Sequence, residues 1–260
     1  MIDDSNYEYR GLVASSWDFL RGDPSSFPDR DFYRAIILQS GEPALIVGCG
    51  TGRLLLEYRA DGMDVAGLDV SPEMLAICRQ KARRQGIKVT LHQQLMEAMH
   101  LPGLFRTMVI PSSNFQLVTD PDAAQSALER CFAHLMPGGM LVMSFWQMKG
   151  GGDSGWGEWW QVAEKDGFQD SKTLRRWERS RYDPDTRLRH TENRYELVED
   201  GRVVDTETHH RSPEMRNYSP NQVRELLSSA GFTDVRAVSG FSDTPAAEEE
   251  AVFCVLGEKS

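Results

Sequence analysis

The sequence predicts an α/β doubly wound fold, and three observations carry that prediction. Short apolar runs alternate with segments of helical period between residues 44 and 145. A glycine-rich turn, Gly48-Cys49-Gly50-Thr51-Gly52, joins the first run to the first of those helices. A carboxylate, Asp69, closes the second run 17 residues beyond Gly52.

The elements follow in order. Residues 1–39 read as helical and aromatic, with Tyr7, Tyr9, Trp17, Phe19, Phe32 and Tyr33, and with breaks at Asp23-Pro24 and Phe27-Pro28. Residues 44–47 are a continuous apolar run, as a strand covered on both faces requires. After the glycine turn, 54–58 reads as a helix and 64–69 as the second strand. Ser71 is placed to cap the next helix, Pro72 suits its first position, and Met74, Leu75 and Cys78 fall on one face. Strands three and four are read at 88–92 and 107–110. A helix over 123–135 is ended by Pro137-Gly138-Gly139, and 140–145 is the fifth strand. A helix over 221–230, closed by Gly231, precedes the last two strands at 234–238 and 251–256.

Residues 150–219 break the alternation. They open on Gly150-Gly151-Gly152, followed by Trp156, Trp159 and Trp160, which read as a packed helix or as an aromatic lid. Beyond them the sequence is polar and β-rich. Asp200-Gly201 marks a two-residue hairpin turn. Its simplest register sets Leu197 opposite Val204, Tyr195 opposite Thr206, Asn193 opposite Thr208 and Thr191 opposite His210. That places His210 on the face toward the domain and His209 on the face away from it. Arg175, Arg176, Arg179 and Arg181 read as a solvated or dimer-forming face, with recognition of an anionic acceptor as the sharper alternative. The implied organisation is an N-terminal helical cap over 1–39, a cofactor-binding domain over 40–149 and 220–260, and a β-rich insertion over 150–219 that shapes the acceptor pocket.

Composition narrows the function classes. The chain has 260 residues, 40% hydrophobic and 26% charged, with a net charge of -10. An acidic surface repels phosphate backbones, so nucleic acid is not expected as a partner. No run approaches the length needed to cross a membrane, and the first ten residues lack the basic start and apolar run of a signal peptide. The four scattered cysteines show no metal-binding spacing and read as buried thiols of a cytoplasmic protein, monomer or homodimer, with no metal site.

Two ligand classes compete for the glycine turn. A dinucleotide fingerprint needs glycine at position 53, where this chain has Arg53. An acid at Asp69 serves ribose hydroxyls in either class. The turn at 47–52, then Gly67-Leu68-Asp69-Val70-Ser71-Pro72-Glu73-Met74-Leu75, then Leu135-Met136-Pro137-Gly138-Gly139, resembles the class I S-adenosylmethionine-dependent methyltransferase family. The resemblance covers about residues 40–148. It implies a Rossmann-like sheet of seven strands whose last strand runs antiparallel, with an antiparallel β insertion between strands five and six.

It also implies roles. Gly48, Gly50 and Gly52 would line the methionine and ribose part of S-adenosylmethionine, and Asp69 would hold the ribose. Val70 and Met74 would pack on adenine. Met96 and Glu97 would border its edge, and Pro111-Ser112 would face the sulfonium. Tyr9 and Trp17 would cover the cofactor. The family often carries an acid where Ile46 stands, and Asp where Leu95 and Thr107 stand.

Methyl transfer from a sulfonium is an in-line displacement, in which the protein must orient the acceptor and, for a weak nucleophile, take its proton. Asn114 and His210 are the candidate catalytic side chains. The resulting expectation is methylation of a small-molecule N or O acceptor. An NAD-type oxidoreductase and a non-catalytic S-adenosylmethionine-binding protein are the rival readings.

Overall fold

A computed structural model describes residues 9–22, 27–148 and 155–260. The break at Asp23-Pro24, Tyr7 and the Gly150-Gly151-Gly152 run lie outside the described residues. Numbered along the chain, the elements are α1 (Gly11–Arg21), α2 (Asp29–Ser40), β1 (Ala44–Val47), α3 (Arg53–Ala60), β2 (Val65–Asp69), α4 (Pro72–Gln85), β3 (Leu91–Gln93), β4 (Phe105–Ile110), α5 (Pro121–His134), β5 (Leu135–Trp146), β6 (Trp160–Phe168), β7 (Lys172–Asp183), β8 (Leu188–Glu199), β9 (Arg202–Arg216), α6 (Pro220–Ser229), β10 (Thr233–Ser239) and β11 (Val252–Lys259). A short 3-10 turn over Asn114–Leu117 follows β4. They form two compact units, Met1–Pro24 with Gly150–Arg216, and Ser25–Lys149 with Asn217–Ser260.

The larger unit is built on a seven-stranded sheet in the order β10-β11-β5-β4-β1-β2-β3. β1 runs parallel to β2 and β4, while β11 is antiparallel to both β5 and β10. The seven strands and the antiparallel last strand expected from the sequence are therefore present. Successive β1 residues feed opposite cores, as the strand period demands. Leu45 and Val47 pack with Leu128 of α5 and Val223 and Leu227 of α6. Ala44 and Ile46 pack with Tyr33 and Ile37 of α2, Leu55 of α3 and Leu75 of α4. Helices thus cover both faces, which is why the strands read as unbroken apolar runs.

Local chemistry sets the helix ends. Ser71 Oγ accepts the Met74 N–H at 3.1 Å with Pro72 at the first position, as expected. Most boundaries shift by a few residues, and two strand starts move furthest. β3 lies at Leu91–Gln93 instead of 88–92, and β5 starts at Leu135, so Pro137-Gly138-Gly139 sit inside the strand, where its pairing with β4 shifts register. All four cysteines are buried thiols. Burial pushes the Cys131 and Cys254 thiols up to about 12, which keeps them protonated and inert at neutral pH.

The smaller unit is a four-stranded antiparallel sheet, β6-β7-β8-β9, with α1 on one face. Leu12 and Val13 of α1 pack with Phe168, Leu174, Tyr195 and Leu197. The β8–β9 hairpin corrects the sequence reading. Val198 pairs with Val203 as expected, but Leu197 then pairs with Asp205 and Tyr195 with Glu207. One extra residue in β9 makes a bulge, and a one-residue slip turns every later side chain to the other face. His209 is consequently buried and His210 exposed, the reverse of the expected arrangement. The helix read at Trp156, Trp159 and Trp160 is also corrected. Trp160 opens β6, and Trp156 and Trp159 lie in the irregular segment before it, with the Arg179 guanidinium 5.2 and 5.1 Å from their rings.

The bulge gives α1 its cap. No side chain within α1 caps its start, but Glu207 Oε2 accepts the Leu12 N–H at 2.8 Å, and the other Glu207 oxygen bonds His209 Nε2. A Cβ at Gly11 would lie 2.4 Å from this carboxylate. Replacing Glu207 with Ala is expected to cost about 1 to 2 kcal/mol. Chemical denaturation followed by tryptophan emission measures it, and an unchanged midpoint would remove Glu207 from the account of α1.

Candidate active site

The strand order reverses at β1 and β4. The chain leaves β1 for β2 on one side and reaches β4 on the other, so the segments after these strands border the crevice where open α/β sheets bind ligands. The glycine turn follows β1, and Pro111-Ser112-Ser113-Asn114 follows β4.

The turn is pinned by backbone bonds. Gly48 and Cys49 N–H groups donate to the Leu68 carbonyl at 2.7 and 2.9 Å, and Gly52 N–H donates to Cys49 at 3.0 Å. Gly52, at φ +88°, is the left-handed cap of α3, and a Cβ there would meet Cys78 Sγ at 2.6 Å. Gly50, at φ +55°, has open space where a Cβ would stand, as a cradle for a ligand needs.

Asp69 ends β2 beside this cradle. Its Oδ2 accepts the Gly50 N–H at 2.7 Å and its Oδ1 the Ser71 N–H at 2.9 Å. Lone pairs on these oxygens remain for ligand hydroxyls. Burial raises the Asp69 carboxyl above the usual carboxylate range, against the N–H donors of Ser71, Gly50 and Val70. The Gln94 N–H donates to the Asp69 carbonyl at 3.3 Å, and the Gln94 side chain clasps the backbone of His100. This draws the segment carrying Met96 and Glu97 to the end of β2. Met96 and Met74 are buried, while Val70 and Glu97 are half-buried.

Beyond β4, Pro111 is buried and Ser112 exposed, and Ser112 and Ser113 are both left-handed, at φ 55° and 59°. Asn114 Nδ2 donates to the Gly48 carbonyl at 3.0 Å, which ties this loop to the glycine turn. Gln116 is buried, and its amide exchanges two bonds with the Trp146 backbone, at 3.0 and 2.8 Å. The structure therefore joins Gly48, Gly50, Asp69, the 94–97 segment and Asn114 through one set of bonds.

The remaining sequence candidates belong to the smaller unit. Tyr9 and Trp17 meet edge to face at 5.1 Å, with Arg211 over Tyr9 and Arg21 over Trp17. The His210 side chain is 66% exposed and lies 3.2 Å from Glu192. Three arginines of β7 meet acids, Arg179 with Glu192 of β8, Arg175 with Glu164 of β6 and Arg176 with Glu178 of β7 itself.

Residues 44–139 match the family described as a methyltransferase domain. Over those residues the chain resembles the class I methyltransferases. A ubiquinone biosynthesis O-methyltransferase of Pectobacterium carotovorum is 35% identical over 106 residues, 40% of this chain but only 43% of that enzyme. The structure of the CcbJ methyltransferase from Streptomyces caelestis has a TM-score of 0.77 at 17% identity, covering 98% of this chain and 99% of that one. The sugar N-methyltransferase KedS8 from a Streptoalloteichus species has a TM-score of 0.72 at 20% identity, covering 100% and 98%. At these identities the two structures show a shared fold, the Rossmann-like methyltransferase fold expected from the sequence. The open Gly50 cradle with the Asp69 carboxylate beside it fits the ribose of S-adenosylmethionine.

Three arrangements escape sequence reading. Asn114 as partner of Gly48, Gln116 as clasp of Trp146 and the acid partners of Arg175 and Arg179 join residues that only the folded chain brings together. Arg53 was visible, but only as a missing glycine.

Proposed function

We propose that this chain methylates a nitrogen or oxygen of a small molecule, using S-adenosylmethionine. The bound cofactor supplies an electrophilic methyl group on a sulfonium, with a neutral thioether as leaving group. In-line displacement then needs no acid for the leaving group, and orientation supplies much of the rate. The observation that carries the proposal is the Asp69 carboxylate, held by the Gly50 and Ser71 N–H groups at the mouth of the glycine turn.

The other residues support the same reading. Met74 and Val70 offer an apolar wall for adenine, and Met96 and Glu97 border it. Pro111 and Ser112 stand where the displacement would occur. The Asn114 amide is committed to Gly48, so its role is to hold the turn. His210, exposed and 3.2 Å from Glu192, is the side chain proposed for proton removal. Tyr9 and Trp17 are proposed to contribute to covering the cofactor. The O-methyltransferase and the sugar N-methyltransferase among the similar proteins support a small hydroxyl or amine acceptor. The charge of -10 argues against nucleic acid, and no helix among the described residues is long and apolar enough to cross a membrane.

A binding protein without turnover is the second reading, favoured by Ile46, a buried core residue where the family often has an acid. Calorimetric titration with S-adenosylmethionine and with NAD tests the proposal. Binding of S-adenosylmethionine alone, followed by methyl transfer in an acceptor screen of amines and phenols, is expected. Binding of NAD alone would overturn the cofactor assignment, and tight binding with no turnover across the screen would favour the second reading.

A further inference from the structure

Arg53 is the first residue of α3 and directly follows the glycine turn. A cation there opposes the positive end of the helix dipole, and α3 has no acid in its first turn to offset it. The offset comes from another helix. Arg53 Nη1 donates to Asp29 Oδ1 at 2.9 Å and Nη2 donates to Asp29 Oδ2. Asp29 is the first residue of α2, where a carboxylate is favoured. The pair is sequestered, with side chains 14% and 4% exposed, and the Phe27 ring lies 5.0 Å from the guanidinium.

Such a pair is a poor device for stability alone. Desolvation offsets most of the attraction, and two apolar side chains of similar size would hold the helices at least as well. What an arginine–carboxylate fork adds is fixed geometry, because two parallel bonds set the angle as well as the distance between the groups. Here they set the start of α3, and with it the cap Gly52 and the turn from 48 to 52. That geometry matters more in this chain than in relatives with an acid at position 46. Ile46 is in the core, so the amino-acid end of the cofactor must be gripped chiefly by the turn's own backbone.

We propose that Arg53 and Asp29 are positioning residues that fix the glycine turn against the amino-acid end of S-adenosylmethionine. This rests on the cofactor reading above. Neither side chain touches the reacting atoms. Both act through the backbone between Gly48 and Gly52.

The test compares two stable ligands. S-adenosylhomocysteine has the amino-acid end, and 5′-methylthioadenosine lacks it while keeping the adenosine thioether. Calorimetry measures both against wild type, Asp29→Asn, Arg53→Lys, Arg53→Met and the double variant Asp29→Asn/Arg53→Met, with thermal melting on each. The expected result is about tenfold weaker binding of S-adenosylhomocysteine in each single variant, about 1.4 kcal/mol, and little change for 5′-methylthioadenosine. Arg53→Lys keeps the charge but not the fork, so it falls with the other single variants. The double variant leaves no unpaired buried charge and is expected to lose less than the two single losses combined. Equal weakening of both ligands in step with a lower melting temperature would assign the pair a structural role only and overturn the proposal, as would unchanged binding of both. If a methionine at 53 prevents folding, Arg53→Lys and Asp29→Asn decide it. Failure of wild type to bind either ligand would overturn the cofactor reading, and this proposal with it.

Discussion

Replacing Asp69 with alanine is expected to weaken S-adenosylmethionine binding by at least about a hundredfold. The carboxylate oxygens of Asp69 accept backbone N–H groups, among them those of Gly50 and Ser71. The remaining lone pairs can accept two ribose hydroxyls. Each such bond to a charged acceptor contributes about 1.5 to 3 kcal/mol, and losing both passes a factor of about a hundred. Alanine also strands the Gly50 N–H, so the cradle loses its anchor along with its acceptor. Asp69→Asn keeps the size and loses the charge, and it is expected to fall between alanine and wild type. Calorimetry reads the affinities, and thermal melting shows whether the variants are folded. A folded Asp69→Ala protein that binds within about threefold of wild type would remove Asp69 from the site.

The same carboxylate predicts a pH dependence. Burial raises its pKa above the ordinary carboxylate range, ahead of the opposing N–H donors. Protonation as pH falls removes an acceptor from the ribose, so affinity should decline at a pH above the one at which exposed carboxylates titrate. Affinity measured from neutral pH downward checks this. In Asp69→Asn the decline should disappear.

How much of this was legible depended on the range of the physics involved. β1, the glycine turn and β2 were readable because each is fixed by local chemistry. An apolar run buried on both faces, glycines at positive φ and a carboxylate at a strand end leave direct marks in the sequence. Ser71 and Pro72 opened α4 for the same reason. The hairpin turn at Asp200-Gly201 was also local, but the register beyond it was not. Its bulge turns His209 and Arg211 toward the face that carries Tyr195 and Leu197, and that choice depends on α1, nearly 200 residues earlier. Arg175 and Arg179 looked short of acids because their partners, Glu164 and Glu192, sit on β6 and β8. Arg53 was read only by what it excludes, because its partner Asp29 lies on a helix 24 residues earlier.

Gly48 is expected to be the least replaceable residue of the turn, and Gly48→Ala should lower stability by about 2 to 3 kcal/mol. Two separate costs contribute. The residue sits at φ +74°, where a side chain costs about 1 to 2 kcal/mol. A Cβ there would also lie 2.2 Å from Asn114 Nδ2, so the amide must move. When it moves, the bond from Asn114 to the Gly48 carbonyl goes with it, at about 1 kcal/mol. The two costs can be separated. Asn114→Ala alone should lose only the bond. Gly48→Ala/Asn114→Ala removes the collision and leaves the backbone strain, so it should be less destabilised than the two single variants summed. Denaturant midpoints on the four proteins complete the cycle. Cofactor affinity should fall with Asn114→Ala even where stability barely moves, because the bond joins the two segments that border the crevice. Strict additivity in the cycle would show that residues 48 and 114 do not meet, and the loop after β4 would then lose its assigned hold on the turn.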